Sequence, residues 1–397
     1  MLINDKRALA YTTLIDWVKP IEGADFIDLV GIGGWTCVAK RGEFKAGDMC
    51  VYFEIDSRVP ADKEWSQFLE KKGFKIKTMK LSKFGVISQG LALPVTAFDV
   101  KIPNEIGVDC TELLGVTYIE AADNERKGSG PDKYKRMAQR RPNIFKKPWA
   151  RWMMKREWGK KVMFFFFGKK KDKKSGWPSW VVKTDEERVQ NMSWLFNTDN
   201  STEWIMTEKI DGSSSTFTMK GWGKKRQFLV CSRNVVFDKP DKKCFYDTNI
   251  YTEMAEKYHM EEVMAKMMDD AKRLGDELEF LTIQGEIYGP TVQKRDYGLK
   301  ERDLAIFNII YGHKEGYTIR LNPLAMKKEC DLYGLPAVPV LSHRMTLPAT
   351  CEEVLALADK DKSQIDGGMR EGIVFRSLDG TQSFKAVSNE FLLRYHS

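Results

Sequence analysis

The sequence predicts an α+β protein, with an all-β barrel at the N-terminus followed by a larger region that mixes strands with a few helices. Three observations carry this. Over residues 1–120, short apolar runs alternate with Gly, Pro and Asp turn signals. From Trp177 onward, several strand-like apolar runs are interspersed with two stretches that read as helices. Between them, residues 121–176 break both patterns, with a linker signal at Gly128-Ser129-Gly130-Pro131 and then a basic run. The expected organisation is therefore 1–120, 121–176 and 177–397.

In the first region Phe26–Ile32, Met49–Ile55 and Gly85–Leu93 read as strands, and Gly42-Glu43-Phe44-Lys45-Ala46-Gly47-Asp48 is the turn feeding the second. This spacing suits a small barrel such as an OB-fold, and an SH3-like barrel shares it. In the second region, residues 126–174 hold 19 Lys and Arg against three acids, Asp132, Glu157 and Asp172. That nets +16 in a chain whose total is +8, so the remainder nets −8. A charge run is usually a solvated face, but these cations also suit nucleic-acid phosphates, with Trp149, Trp152 and Trp158 placed to stack on unpaired bases. A membrane surface attracts the same composition. A helix is expected from about Pro148 to Lys161, and Lys169–Gly176 reads as a solvated loop. In the third region Ile205–Glu208, Ser215–Met219, Phe228–Ser232, Thr282–Tyr288 and Leu304–Tyr311 read as strands, and Met254–Leu274 and Ala325–Tyr333 as helices.

Composition excludes several classes. With 42% hydrophobic residues, 11 Trp and 22 Phe, the chain can bury sizeable cores. Its seven Cys form no CxxC pair and its four His are dispersed, so neither a disulfide framework nor a zinc site is expected. The opening residues carry no apolar leader, and the longest apolar aromatic run, Phe164–Phe167, is far short of the ~20 residues that span a bilayer. The expectation is an intracellular monomer with no membrane contact.

The sharpest chemical signal is Glu208-Lys209-Ile210-Asp211-Gly212-Ser213-Ser214. A Lys that ends an apolar strand and precedes a Gly turn presents its amine over a cavity. As a nucleophile it must be neutral, and moving a Lys pKa from ~10.4 to near 7 takes ~4–5 kcal/mol of environment. Taken alone, the run also reads as a surface turn. Four further elements follow in order. Ser232-Arg233-Asn234 ends a strand with a guanidinium suited to phosphate. Gln284-Gly285-Glu286-Ile287-Tyr288-Gly289 and Glu371-Gly372-Ile373-Val374-Phe375-Arg376 each put a carboxylate on an apolar strand, where it needs a partner. Phe384-Lys385-Ala386-Val387 puts a second Lys in such a strand, and Phe307, in Ala305–Ile309, is either core or a platform for a purine. Glu286 and Glu371 could equally be ordinary paired strand carboxylates.

This ordered series resembles the conserved motifs of covalent nucleotidyltransferases, the polynucleotide ligases and mRNA-capping enzymes. Ile21–Asp25, Lys40–Asp48, Val51–Ser57 and Ser88–Leu91 are similar to the OB module of the Deinococcus/Naegleria-type ATP-dependent RNA ligases, and Lys183–Asn191 to the segment just before their catalytic domain. The resemblance covers nearly the whole chain except 121–176. It implies an OB-like nucleic-acid-binding domain followed by an ATP-grasp-like adenylyltransferase domain, built on antiparallel sheets with flanking helices. It also implies ATP-dependent joining of 3′-OH and 5′-phosphate RNA ends, at a nicked duplex or a break. Lys209 would carry AMP, and Mg²⁺ or Mn²⁺ would be held by Glu286 and Glu371. Lys385, Arg233 and Arg188 would hold phosphates, Phe307 would stack on adenine, Glu208 would read its edge, and Asp211 would belong to the ATP site. Ser214 stands where DNA ligases and capping enzymes usually carry Arg, which favours RNA over the alternatives of a DNA ligase, a capping guanylyltransferase or a non-catalytic nucleic-acid-binding protein. Val387 stands where a second motif Lys is usual, leaving Arg394 or an inserted Lys to replace it.

Overall fold

Alternation of apolar and polar residues builds the N-terminal barrel. In the strand Trp35–Lys40, Trp35, Cys37 and Ala39 are buried while Thr36, Val38 and Lys40 face outward, the period of two that a half-buried strand requires. The computed structural model describes residues 1–3, 6–119, 147, 150, 153, 156, 177–181, 185–196, 201–233, 235–237 and 248–395. Ile27–Ile32 lies between Trp17–Pro20 and Trp35–Lys40, and Met49–Phe53 between Ala10–Leu14 and Leu91–Pro94, all antiparallel. These strands enclose Ile15, Val30, Ile32, Trp35, Cys37, Tyr52, Ile55 and Ala92. The expected strand Gly85–Leu93 is two, Val86–Ser88 and Leu91–Pro94, because Gly90 turns the chain at φ +89°.

The chain forms two compact units. One joins Met1–Ile55 and Ile76–Cys110 with Trp177–Ser397; the other holds Asp56–Lys75 and Thr111–Gly176. In the second, the 3₁₀ segment Glu64–Lys72 buries Trp65 and Leu69 and stops at a left-handed Gly73, while Thr117–Tyr118 pairs with Ser57–Arg58. The expected helix Pro148–Lys161 and the basic run 126–174, with Trp149, Trp152 and Trp158, lie almost entirely outside the described residues.

Two further sheets make up the C-terminal part. The first runs in the order Glu187–Arg188, Ser383–Val387, Gly372–Ser377, Glu203–Lys209, Val340–Thr346. The second runs in the order Val236–Phe237, Gln227–Ser232, Ser213–Lys220, Leu278–Tyr288, Asp303–His313, Thr318–Arg320, and is antiparallel throughout. One face of the second sheet is apolar, with Phe217, Met219, Leu281, Ile283 and Ile309, and it buries the helices Ile250–Lys257, Met260–Arg273 and Pro323–Tyr333. Its other face is polar: Thr216, Thr218, Thr282, Gln284 and Asn308 are buried and hydrogen-bonded to one another across the strands. The helix Cys351–Lys360 starts at a Thr350/Glu353 capping box and packs Val354, Leu355 and Ala358 on the first sheet.

The expected single helix Met254–Leu274 is two helices. His259 sits at φ +46°, a left-handed break, and the preceding Lys257 and Tyr258 both reach Asp303 on the sheet. After the break, Met260, Met264, Met267 and Met268 fall on one face at helical spacing and are all buried.

The barrel and the first C-terminal sheet share a core, since Val387 and Leu392 belong to the barrel's apolar cluster. Polar contacts run beside it. Trp35 Nε1 donates to Asn191 Oδ1 at 2.6 Å, and Asn191 Nδ2 donates to Glu54 at 2.9 Å and Glu187 at 2.8 Å. Replacing Asn191 with Ala leaves the indole N–H and two carboxylates short of a partner. The expected cost is about 2–3 kcal/mol, read as a lower denaturant midpoint with unchanged slope.

Candidate active site

The strand Glu203–Lys209 belongs to the first sheet and Ser213–Lys220 to the second, so the chain changes sheets within Ile210-Asp211-Gly212. That step admits no side chain at Gly212, where a Cβ would lie 2.2 Å from the Ile287 carbonyl oxygen and 2.9 Å from Glu286 Cγ. The crossing leaves Lys209 at the strand end facing acids from both sheets. Its Nζ lies 2.6 Å from Glu371 Oε1. Glu371 precedes Gly372, the register partner of Lys209, while Glu286 pairs with Ser214 on the other sheet. Asp211 donates its N–H to the Tyr297 hydroxyl at 2.7 Å, and Gln293 Nε2 donates to the Gly212 carbonyl at 3.2 Å.

The charges are strongly coupled. Burial pushes the Lys209 amine down, but Glu371 and Glu286 outweigh it and hold the pKa above the ordinary lysine value. These surroundings favour the charged amine, and the neutral form that attack requires calls for those carboxylates to be engaged elsewhere. Burial pushes Glu286 up to about 8, with Glu371 and Asp211 adding to it against Lys209 and Arg233. Glu371 Oε2 is buried without a hydrogen-bond partner.

A second cluster borders the first. Lys385 Nζ is 2.7 Å from Asp185, which also pairs with Arg233. Burial lowers Lys385 to about 8, helped by Arg188, Lys209 and Arg7 and opposed by Asp185. Burial works against ionising Asp185, yet Lys385 and Arg233 bring it down to about 2. Arg188 is in parallel register with Lys385, and its guanidinium lies 5.8 Å from the Trp35 ring.

Of the residues singled out in the sequence, Lys209, Asp211, Glu286, Glu371, Arg233, Arg188 and Lys385 converge here. Phe307 lies half-buried on the strand Asp303–His313, packed against the second sheet's core, with its carbonyl accepting from Arg376 at 3.0 Å. Glu208 is buried and its carboxylate is engaged by Ser363 and Gln364. Val387 is barrel core, and Arg394 lies over Tyr395. Asn234 and Lys183 lie outside the described residues. Sequence reasoning missed Tyr297, Arg295, Gln293 and Asp185. The first three follow Glu286 in a loop with no strand or helix signal, and Asp185 sat unassigned in the 183–191 segment.

Among the described residues no group of three or more His, Cys, Asp or Glu forms a metal set. The two carboxylates at Lys209, one with an unpartnered buried oxygen, fit a hard cation that takes its remaining ligands from phosphate and water. Nor is any described helix long and apolar enough to cross a membrane.

A strand-end lysine between carboxylates of two sheets, bordered by cations suited to phosphate, fits a covalent nucleotidyltransferase. Family models agree: an OB-fold domain matches residues 9–95 and RNA ligase matches residues 202–387. The fold is similar to Naegleria gruberi RNA ligase with pyrophosphate, at 29% identity and TM-score 0.71, covering 98% of this chain and 99% of that one. A lysine-to-alanine variant of that ligase with ATP and Mn matches at 28% identity, TM-score 0.71 and the same coverage. A glutamate-to-alanine variant with AMP and Mn matches at 29% and 0.70, again with 98% and 99% coverage. No curated protein matches by sequence. The chain belongs to the RNA ligases and is an ATP-dependent RNA ligase of the OB-plus-nucleotidyltransferase type.

The raised Glu286 pKa makes a signed prediction. Ionising this carboxyl costs stability as pH rises from 4.5, its ordinary value, to about 8 in the fold. Glu286→Gln should therefore raise thermal stability at pH 8–9 and have little effect below about pH 4.5, read by melts across pH without nucleotide.

Proposed function

We propose that Lys209 accepts AMP from ATP, and that the AMP then passes to an RNA 5′-phosphate, from which an RNA 3′-OH displaces it. The observation that carries this is the Lys209 amine at a sheet crossing, 2.6 Å from Glu371 and facing Glu286. In the first step an Nζ–P bond forms and pyrophosphate leaves. In the second the 5′-phosphate oxygen displaces the lysine, and in the third the 3′-OH displaces AMP. All three are in-line phosphoryl transfers, governed by positioning and charge neutralisation.

Lys385, Arg233 and Arg188 are the phosphate-binding cations in this reading. Arg7, which bonds Glu54 at 3.1 Å, adds its field at Lys385 and, with Arg188, supplies the charge that Val387 does not. Glu286 and Glu371 would hold Mg²⁺ or Mn²⁺, whose charge would relieve the carboxylates' hold on the lysine proton and offset that of the phosphates. Phe307 is the platform for adenine and Asp211 orders the turn beside it. In support, the solved variants of the Naegleria ligase replace a lysine, an aspartate, two glutamates and a second lysine in chain order. That is the residue order of Lys209, Asp211, Glu286, Glu371 and Lys385.

Residues 1–120 are read as the OB RNA-binding domain, 121–176 as a basic insertion that grips RNA, and 177–397 as the catalytic domain. The substrate is a nicked duplex or broken RNA end, and the enzyme is an intracellular monomer. The described cysteines, all six buried, are in keeping with a reducing compartment.

Lys209→Ala should abolish the covalent AMP adduct, measured by intact mass after incubation with ATP and metal, yet still seal a pre-adenylylated strand. A stable adduct on this variant contradicts the assignment. With wild-type protein, the maximal rate of AMP transfer should rise with pH as Lys209 deprotonates. Half-saturating ATP should rise above pH 8, where Lys385 loses its charge in the free protein.

A further inference from the structure

The family resemblance implies that Glu208, beside the nucleophile, reads a base, but its surroundings point elsewhere. It is 2% exposed. One carboxylate oxygen accepts the Ser363 hydroxyl and the other the Gln364 N–H, at 2.8 Å. These residues open a turn that closes on itself, with Ser363 N–H donating to the Gly368 carbonyl at 2.8 Å and Gly368 N–H to Asp366 at 2.9 Å. Glu371 follows two residues beyond Met369, the end of the turn.

The far side of the turn is held from the other flank of Lys209. Arg295 donates to the Met369 carbonyl and pairs with Asp366. Its guanidinium lies 4.1 Å from the centre of the Tyr297 ring, and the Tyr297 hydroxyl accepts the Asp211 N–H. A Cβ at Gly368 would come within 2.7 Å of Arg295 Nη2, so turn and guanidinium fit each other closely. The contacts make a closed circuit. Glu208 and Asp211, on either side of Lys209 in sequence, are each tied to the segment that delivers Glu371 to it.

We propose that Glu208 and Arg295 are positioning residues for the first step: together they clamp the 363–369 turn so that Glu371 is presented to Lys209. Neither touches the nucleotide. The inference rests on Lys209 being the adenylylated residue. Burying Glu208 is costly, and two hydrogen-bond donors from the turn offset that cost, which suits a fixed structural anchor better than a group waiting for a base. An offset of the reacting groups by about 1 Å can cost roughly a hundredfold in rate, so a clamp of this kind acts on rate rather than on ATP affinity.

The test is single-turnover transfer of labelled AMP from ATP to the full-length protein, with maximal rate and half-saturating ATP measured separately. Glu208→Ala and Arg295→Ala should each lower the maximal rate roughly tenfold or more while half-saturating ATP stays within about threefold. Glu208→Gln, which keeps an acceptor for the turn, should recover most of the rate, and the preference for ATP over GTP should be unchanged. If Glu208→Ala instead raises half-saturating ATP tenfold or erases discrimination against GTP, Glu208 reads the base and the proposal fails. It also fails if both maximal rates equal wild type. Should the alanine variants not fold, Tyr297→Phe and Arg295→Lys carry the test: a lowered maximal rate at unchanged half-saturating ATP supports the clamp, and wild-type rates overturn it. Absence of label from Lys209 in the wild-type protein would instead remove the underlying reading.

Discussion

The site depends on one contact, the Lys209 amine against Glu371. It exists because the chain leaves one sheet and enters another within three residues, so a lysine at the end of the first sheet meets carboxylates from both. A strand-end lysine facing only its own sheet would be solvated and ordinary. Here Glu371 and Glu286 favour its charged form against burial.

The barrel is bound into this arrangement. Val387 departs from the expected second lysine because its position is buried in the barrel's core, where a cation would be costly. In the proposed reading the charge absent there is supplied by Arg188, 5.8 Å from the ring of barrel residue Trp35, and by Arg7, which bonds to Glu54. Trp35, Asn191 and Glu54 then link the barrel to the strand that faces Lys385. A substitution in the N-terminal region can therefore reach the nucleotidyltransferase chemistry through packing and field.

Much of this was legible in the sequence, and the limits have physical causes. Lys209, Glu286, Glu371 and Lys385 stood out because a charge on an apolar strand is expensive and demands a purpose. The barrel strands at Phe26–Ile32 and Met49–Ile55 stood out as short apolar runs between turn signals, whereas Trp35–Lys40, which alternates strictly, was not picked out. The break at His259 was invisible, since a left-handed histidine leaves no mark in a run whose apolar spacing continues on both sides. That Glu286 and Glu371 would meet at Lys209 was not legible, because they lie 77 and 162 positions away and their proximity is a property of the sheet crossing. Arg295 and Tyr297 escaped notice for the same reason: a loop residue acquires a role only when the fold brings a turn from elsewhere against it. Glu208 was noticed, but the turn that engages its carboxylate comes from Ser363 and Gln364, far along the chain.

The central claim is that Glu371 and Glu286 govern the charge of Lys209. Its most direct test is nuclear magnetic resonance titration of the Lys209 side chain, assigned by comparison with Lys209→Arg, in nucleotide-free wild-type protein and in Glu371→Gln. The account predicts that the wild-type amine titrates above the ordinary lysine range and that Glu371→Gln moves it down, because burial then acts with less opposition. A wild-type amine already neutral near pH 7, or one whose titration ignores the loss of Glu371, would contradict it.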